Sequence, residues 1–99
     1  MKLEVNFEKK GDARFMSHLD LVRLFQRASR RANLPVEITK GFSPHLKINI
    51  PKALKLGVES DREEAVFYME KAIQPADFIR SINEKLPDGV KIRLREETV

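Results

Sequence analysis

Two hydrophobic periods alternate along this chain, and their order limits its fold more than any other feature. Leu3, Val5 and Phe7 alternate with Lys2, Glu4, Asn6 and Glu8, the period of two of a half-buried strand. "KKGDAR" then turns the chain, with Gly11-Asp12 as the turn pair. From about His18 to Ala32 the period changes. Leu21, Leu24, Phe25, Ala28 and Ala32 recur at helical spacing. Ser17 is a suitable N-cap, and Asp20 stands near the positive end of the helix. Asn33 ends the helix and Pro35 prevents its continuation.

Val36 and Ile38 open a second strand. After "GFSP", Leu46, Ile48 and Ile50 alternate with His45, Lys47 and Asn49. "ALKLGVES" reads as a loop or short extended piece. "EEAVFYME" reads as a central strand because of its continuous apolar run. "QPADFIRSINEKLPDG" is a second helix, with Pro75 near its first turn and Phe78, Ile79, Ile82 and Leu86 as the inner stripe. Val90, Ile92 and Leu94 form a last strand, with Lys91, Arg93 and Arg95 on its other face. The order is β-α-β-β-α-β, the split βαβ of the ferredoxin-like plait. The expectation is an α+β fold: an antiparallel sheet with two helices on one face and polar residues on the other.

At 99 residues the chain is expected to be a single domain, 1–99. No apolar run reaches the length of a membrane span, and "MKLEVNFEKKGD" lacks the apolar core of a signal peptide. Cysteine is absent, which excludes disulfides, thiol catalysis and iron–sulfur ligation by this chain. A cytoplasmic location is the expectation.

Charge is unevenly placed. Residues 1–55 carry 12 Lys/Arg against 5 Asp/Glu, and residues 56–99 carry 7 against 10. One region is therefore suited to face a polyanion, although an uneven soluble surface has the same composition. The first helix concentrates the charge at Arg23, Arg27, Arg30 and Arg31, with no acid after Asp20. Arg23, Arg27 and either Arg30 or Arg31 share a face. Arginine suits bidentate phosphate contacts. The competing reading is a solvated helix face.

His18 opens this helix close to Arg14, where free N–H groups make an anion site. A half-buried packing role is the alternative. In "ITKGFSPHLKINIP", Gly41 suits a positive φ and Pro44 holds Ser43 extended. Phe42 is then either an exposed stacking platform for an unpaired base or a core residue beneath the loop. Lys40, His45 and Lys47 flank it. Because the loop follows a strand parallel to the first, it is expected to approach His18. Arg14, His18, Arg27, Arg31, Lys40, His45 and Lys47 would then share one surface. Two histidines with cations also permit acid–base cleavage of RNA. Their 27-residue separation fits no metal-ligand spacing, and no cofactor is expected. The first strand has no outward aromatic, which argues against base stacking as in RNA-recognition motifs. Instead Lys91, Arg93 and Arg95 are expected to pair with Glu4 and Glu8. Walker, dinucleotide and hydrolase signatures are absent.

The segments "GDARFMSHLDLVRLFQRASRRANLPVEITKGFSPHLKI" and "LKLGVES" resemble a bacterial domain of unknown function that accompanies radical SAM proteins. Its pattern runs roughly G-D-x-R-F-x-S-H-L-D, R-x-x-R-R-A-x-L-P, G-F-x-P-H-P-K and L-x-L-G-V-E-S. The match is at Gly11, Asp12, Arg14, Phe15, Ser17, His18, Leu19 and Asp20. It continues at Arg27, Arg30, Arg31 and Ala32, and at Gly41, Phe42, Pro44, His45 and Lys47. Leu46 departs from it, since relatives usually carry a second Pro there. Relatives are often longer, so 1–99 would be the N-terminal part of a family domain whose remainder could cover the polar sheet face. The resemblance implies a radical SAM protein as partner and assigns no activity. The expected function is an accessory module that binds RNA or another phosphate-rich partner. The alternatives are a protein-interaction domain docking on the radical SAM enzyme and a His-dependent RNA-processing enzyme.

Overall fold

A computed structural model describes residues 1–95. Its elements are β1 (Lys2–Lys9), a 3₁₀ helix (Gly11–Phe15), α1 (His18–Arg31), β2 (Ile48–Asn49), β3 (Ser60–Tyr68), α2 (Pro75–Asn83) and β4 (Val90–Leu94). The sheet has the order β2-β3-β1-β4, and every neighbouring pair is antiparallel. This is the arrangement of a ferredoxin-like plait, with β3 central.

The inward phase of β1 continues beyond the apolar residues. Leu3, Val5 and Phe7 are buried, and Lys9 follows them into the interior at 1 % exposure. A chain of rings connects the layers. Phe7 meets Phe25 of α1 at 5.0 Å, Phe25 meets Phe67 of β3 at 5.7 Å, and Phe67 meets Phe78 of α2 at 4.8 Å. Since Phe67 touches rings from both helices, α1 and α2 lie on the same sheet face. Each such pair adds about 0.5–1.5 kcal/mol beyond burial. Leu94 departs from the expected inner stripe and remains exposed, whereas Val90 and Ile92 are buried.

The helix boundaries follow local chemistry. At the start of α1, the Ser17 hydroxyl accepts from the Asp20 N–H at 3.1 Å, and the Asp20 carboxylate accepts from the Ser17 N–H at 3.2 Å, a reciprocal capping box. At its end Asn33 has φ 55°. The Asn33 N–H donates to Arg30 O and the Leu34 N–H to Ser29 O, which is a Schellman motif. α2 is shorter than its sequence pattern and stops at Asn83.

The second strand differs most from expectation. Val36 bridges Met69, while Ile48 and Asn49 pair with Phe67 and Val66. The edge strand is thus interrupted opposite Tyr68. The Glu37 N–H donates to Tyr68 O at 2.7 Å, and the Tyr68 N–H donates to Lys47 O at 3.1 Å. Residues 38–46 leave the sheet between these points as a small hairpin, bridged at Ile38 and Leu46.

On the open face, Arg95 pairs with Glu4 and Glu64, and Lys10 pairs with Glu8 and Asp61. Arg93 donates to Asp61 O. The expected cross-strand pairing therefore holds for Arg95 with Glu4, while Glu8 takes Lys10 instead.

Candidate nucleic-acid interface

The buried residues of α1 are Leu21, Phe25, Ala28 and Ser29. At 100° per residue, Arg23, Arg27, Arg30 and Arg31 fan across the opposite side, and all four are exposed. None of them makes an ion pair among the described residues. Arg30 and Arg23 lie toward Gln26, whereas Arg27 and Arg31 line a shallow groove with Glu84 and Pro87 of the α2 side. The result is one cationic face, with Asp20 near Arg23 and Glu84 in the groove as its acidic neighbours.

The hairpin adjoins this face. Gln26 Nε2 donates to Leu46 O at 3.3 Å. Within the hairpin, the Thr39 N–H donates to His45 O, and the His45 N–H donates to Thr39 Oγ1 at 3.1 Å. His45 Nδ1 lies 2.8 Å from Ser43 O. That carbonyl can only accept, so Nδ1 carries the proton and Nε2 is left for a ligand. Gly41 has φ +141°, a conformation that a side chain would strain. The brace presents Phe42 with 109 % exposure. Of the two sequence readings for this ring, the structure adopts the exposed one. Lys40 and His45 are exposed on the same hairpin, and Lys47 is exposed at its root.

Arg14 and His18 lie elsewhere. The hairpin leaves the sheet at Tyr68, the partner of Lys2, whereas α1 is entered after Lys9. Those levels are seven positions apart along β1, about 23 Å at the usual rise. The expected approach of the hairpin to His18 does not occur, because the hairpin interrupts the beginning of the edge strand instead of following its end. The loop from Ile50 to Glu59 occupies that end. The Gly57 N–H donates to Arg14 O at 2.7 Å, and the Gly11 N–H donates to the Glu59 carboxylate at 2.7 Å. Arg14 stacks on Phe15 at 4.3 Å and donates to Gly11 O. The structure therefore sets the four α1 arginines on one helix face, joins that helix through Gln26 to the hairpin that carries Lys40, Phe42, His45 and Lys47, and leaves Arg14 and His18 at the other end of the sheet.

The helix N-terminus has its own anion. The Ser17 hydrogen bonds, with Arg23 adding a smaller share, hold the Asp20 carboxyl below the ordinary carboxylate range. His18 is half-buried, and its Nδ1 has no hydrogen-bond partner. With His18 and His45 at opposite ends, the two-histidine cleavage geometry is not formed. Among the described residues no cluster of three or more His, Cys, Asp or Glu is placed to hold a metal ion.

Two further residues escaped sequence reasoning. Tyr68 is on the open face, with Lys47 Nζ 4.4 Å from its ring centroid; the apolar run "AVFY" concealed which of its members faces outward. Lys9 Nζ donates to Lys55 O at 3.0 Å and Met16 O at 3.4 Å. Its odd-numbered phase after Leu3, Val5 and Phe7 was the signal available.

Across residues 2–98 the chain matches the model of a family described as uncharacterized proteins conserved in bacteria. The chain belongs to this DUF2344 family. Comparison of the DUF2344 chain with curated proteins and with solved structures found no match. No helix in the described part of this DUF2344 chain is long and apolar enough to cross a membrane.

Proposed function

We propose that this chain is an accessory module that binds RNA, or another phosphate-rich partner, through the outer face of α1 and the adjoining hairpin. One observation carries the reading: four exposed α1 arginines have no ion-pair partner among the described residues. Some other surface charges are matched within the chain, as in the Arg95–Glu4–Glu64 and Lys10–Asp61 groups. Guanidinium groups on a helix face favour phosphate by charge and by planar paired donors. Arg14 and His18 are not part of this surface.

The resemblance to the domain that accompanies radical SAM proteins supports service to such an enzyme in the cytoplasm. Docking on that enzyme through the same basic face is the second reading, favoured by the groove that Arg27 and Arg31 line. Parallel titration against a structured RNA and against the radical SAM protein separates the two. In the first reading, R27E/R31E weakens binding to unrelated RNA sequences alike and flattens the salt dependence. Unchanged RNA affinity in the folded double variant, with loss of enzyme binding, establishes the second reading instead.

A further inference from the structure

We infer that the ligand is single-stranded RNA and that it crosses the β2 edge, from the α1 arginines over the hairpin to a second contact at Tyr68 on the open sheet face. The inference rests on the phosphate-binding reading of α1 and adds the ligand's form and path.

The path is continuous in covalent and hydrogen-bonded terms. The Gln26–Leu46 hydrogen bond joins α1 to the hairpin. The hairpin is rooted on both sides at Tyr68, through Glu37 and Lys47. Lys47 then reaches over the Tyr68 ring. A chain leaving the arginine face enters at Leu46, crosses the hairpin that carries Phe42 and Lys40, and reaches Lys47 and Tyr68 at its root. Charge is complementary along this route. Lys40 and Lys47 have no ion-pair partner among the described residues, although Glu37 lines the same hollow. Elsewhere on the open face, Arg95 is matched by Glu4 and Glu64 and Lys10 by Asp61, while Lys91 of β4 stands exposed without a pair among the described residues. At the Tyr68 corner an added anion meets two unmatched cations together, Lys40 and Lys47, beside a ring.

Ring faces decide the form of the ligand. Stacking requires bases whose faces are free, which a duplex does not offer. A duplex is also too stiff to turn around a sheet edge, whereas a single strand bends at each nucleotide. Phe42 and Tyr68 provide ring surface, and the cations between them follow the backbone. The Thr39–His45–Ser43 brace orders the hairpin main chain around Phe42 before binding, which reduces the ordering cost.

Composition supplies the test. Tyr68 is the sole tyrosine and there is no tryptophan, so intrinsic emission reports on position 68 alone. The full chain is titrated at low salt with a short uridine oligonucleotide, a matched RNA duplex and polyglutamate, while the anisotropy of a labelled oligonucleotide is followed separately. Tyrosine emission is expected to change over the concentration range in which anisotropy rises. Phe42→Ala and Tyr68→Ala are each expected to weaken single-strand binding by about five- to hundredfold. Tyr68→Phe retains the affinity, and circular dichroism checks the fold of each variant. Oligonucleotide binding with unchanged emission, and an unaffected Tyr68→Ala protein, overturns the path while leaving the phosphate reading intact. Equal or tighter binding of the duplex overturns the single-strand assignment. Equal binding of polyglutamate identifies an acidic protein as the better ligand and also overturns it. Absence of any RNA binding removes the inference together with the reading beneath it.

Discussion

The Asn83 carboxamide holds the main chain of Ile92 by both of its polar atoms. Its Nδ2 donates to Ile92 O at 2.8 Å, and its Oδ1 accepts from the Ile92 N–H at 2.9 Å. Ile92 is opposite Phe7 in the register. Its main-chain groups therefore point away from β1, toward the free side of an edge strand. The helix places an amide where another strand would pair, which blocks edge-to-edge association.

Replacement of Asn83 by Ala exposes both groups. The expected cost is about 1–2 kcal/mol, read from the urea midpoint. Self-association rises as well, measured by sedimentation at increasing concentration. A variant that stays monomeric and equally stable contradicts the role.

Gly89 has φ +91°, and a Cβ there would lie 2.3 Å from Lys10 O. Its own carbonyl accepts from the Lys10 N–H at 2.8 Å. Gly89→Ala is expected to cost at least about 1–3 kcal/mol through backbone strain alone, with the close approach adding more. Thermal unfolding measures it.

Acid and base weaken the fold through different groups. Asp20 and Asp61 both titrate below their ordinary value, Asp20 through Ser17 and Asp61 mainly through its Lys10 hydrogen bond. Their contribution is complete above the ordinary carboxylate pKa and is lost as pH falls through the lowered one. Lys10 is raised, first by Asp61 and then by Glu8. Its contribution is present below the ordinary lysine value and disappears as pH rises through the raised one. Denaturation midpoints against pH are expected to fall at both extremes. Ser17→Ala flattens the acid limb and costs about 1 kcal/mol at neutral pH through the lost cap.

Lys9 has a buried stem and a head bonded to two carbonyls. Lys9→Met fills the same space without a buried charge, and is expected to stay within about 1 kcal/mol of the parent. Lys9→Ala leaves a cavity and costs on the order of 2–4 kcal/mol. Equal stability of the two variants, in chemical denaturation, contradicts a packing role for the stem.

Phe42→Ala is expected to leave stability unchanged within about 0.5 kcal/mol, since the ring contacts solvent. A larger loss in the urea midpoint assigns the ring a structural function.

The alternation at Leu3–Phe7 and Val90–Ile92, and the helical stripes at Leu21–Ala28 and Phe78–Ile82, were enough to settle the plait. Each pattern buries one face only, and few layer arrangements can bury all of them together. The α1 arginine face was legible for the same reason: once the core stripe is known, the opposite side of the helix is known. The site beyond that helix was not legible. Whether Phe42 faces solvent, where the hairpin leaves the edge strand, and which end of the sheet receives His18 depend on the Val36–Met69 and Ile48–Phe67 pairings. Strand pairing is a contact between residues distant in sequence, and local periodicity carries no register between strands. So the sequence by itself determined the order of the elements and, outside the second strand and the end of the last, the faces they bury. Only the tertiary structure decided that Arg30, Phe42, Lys47 and Tyr68 belong to one end of the sheet and His18 to the other.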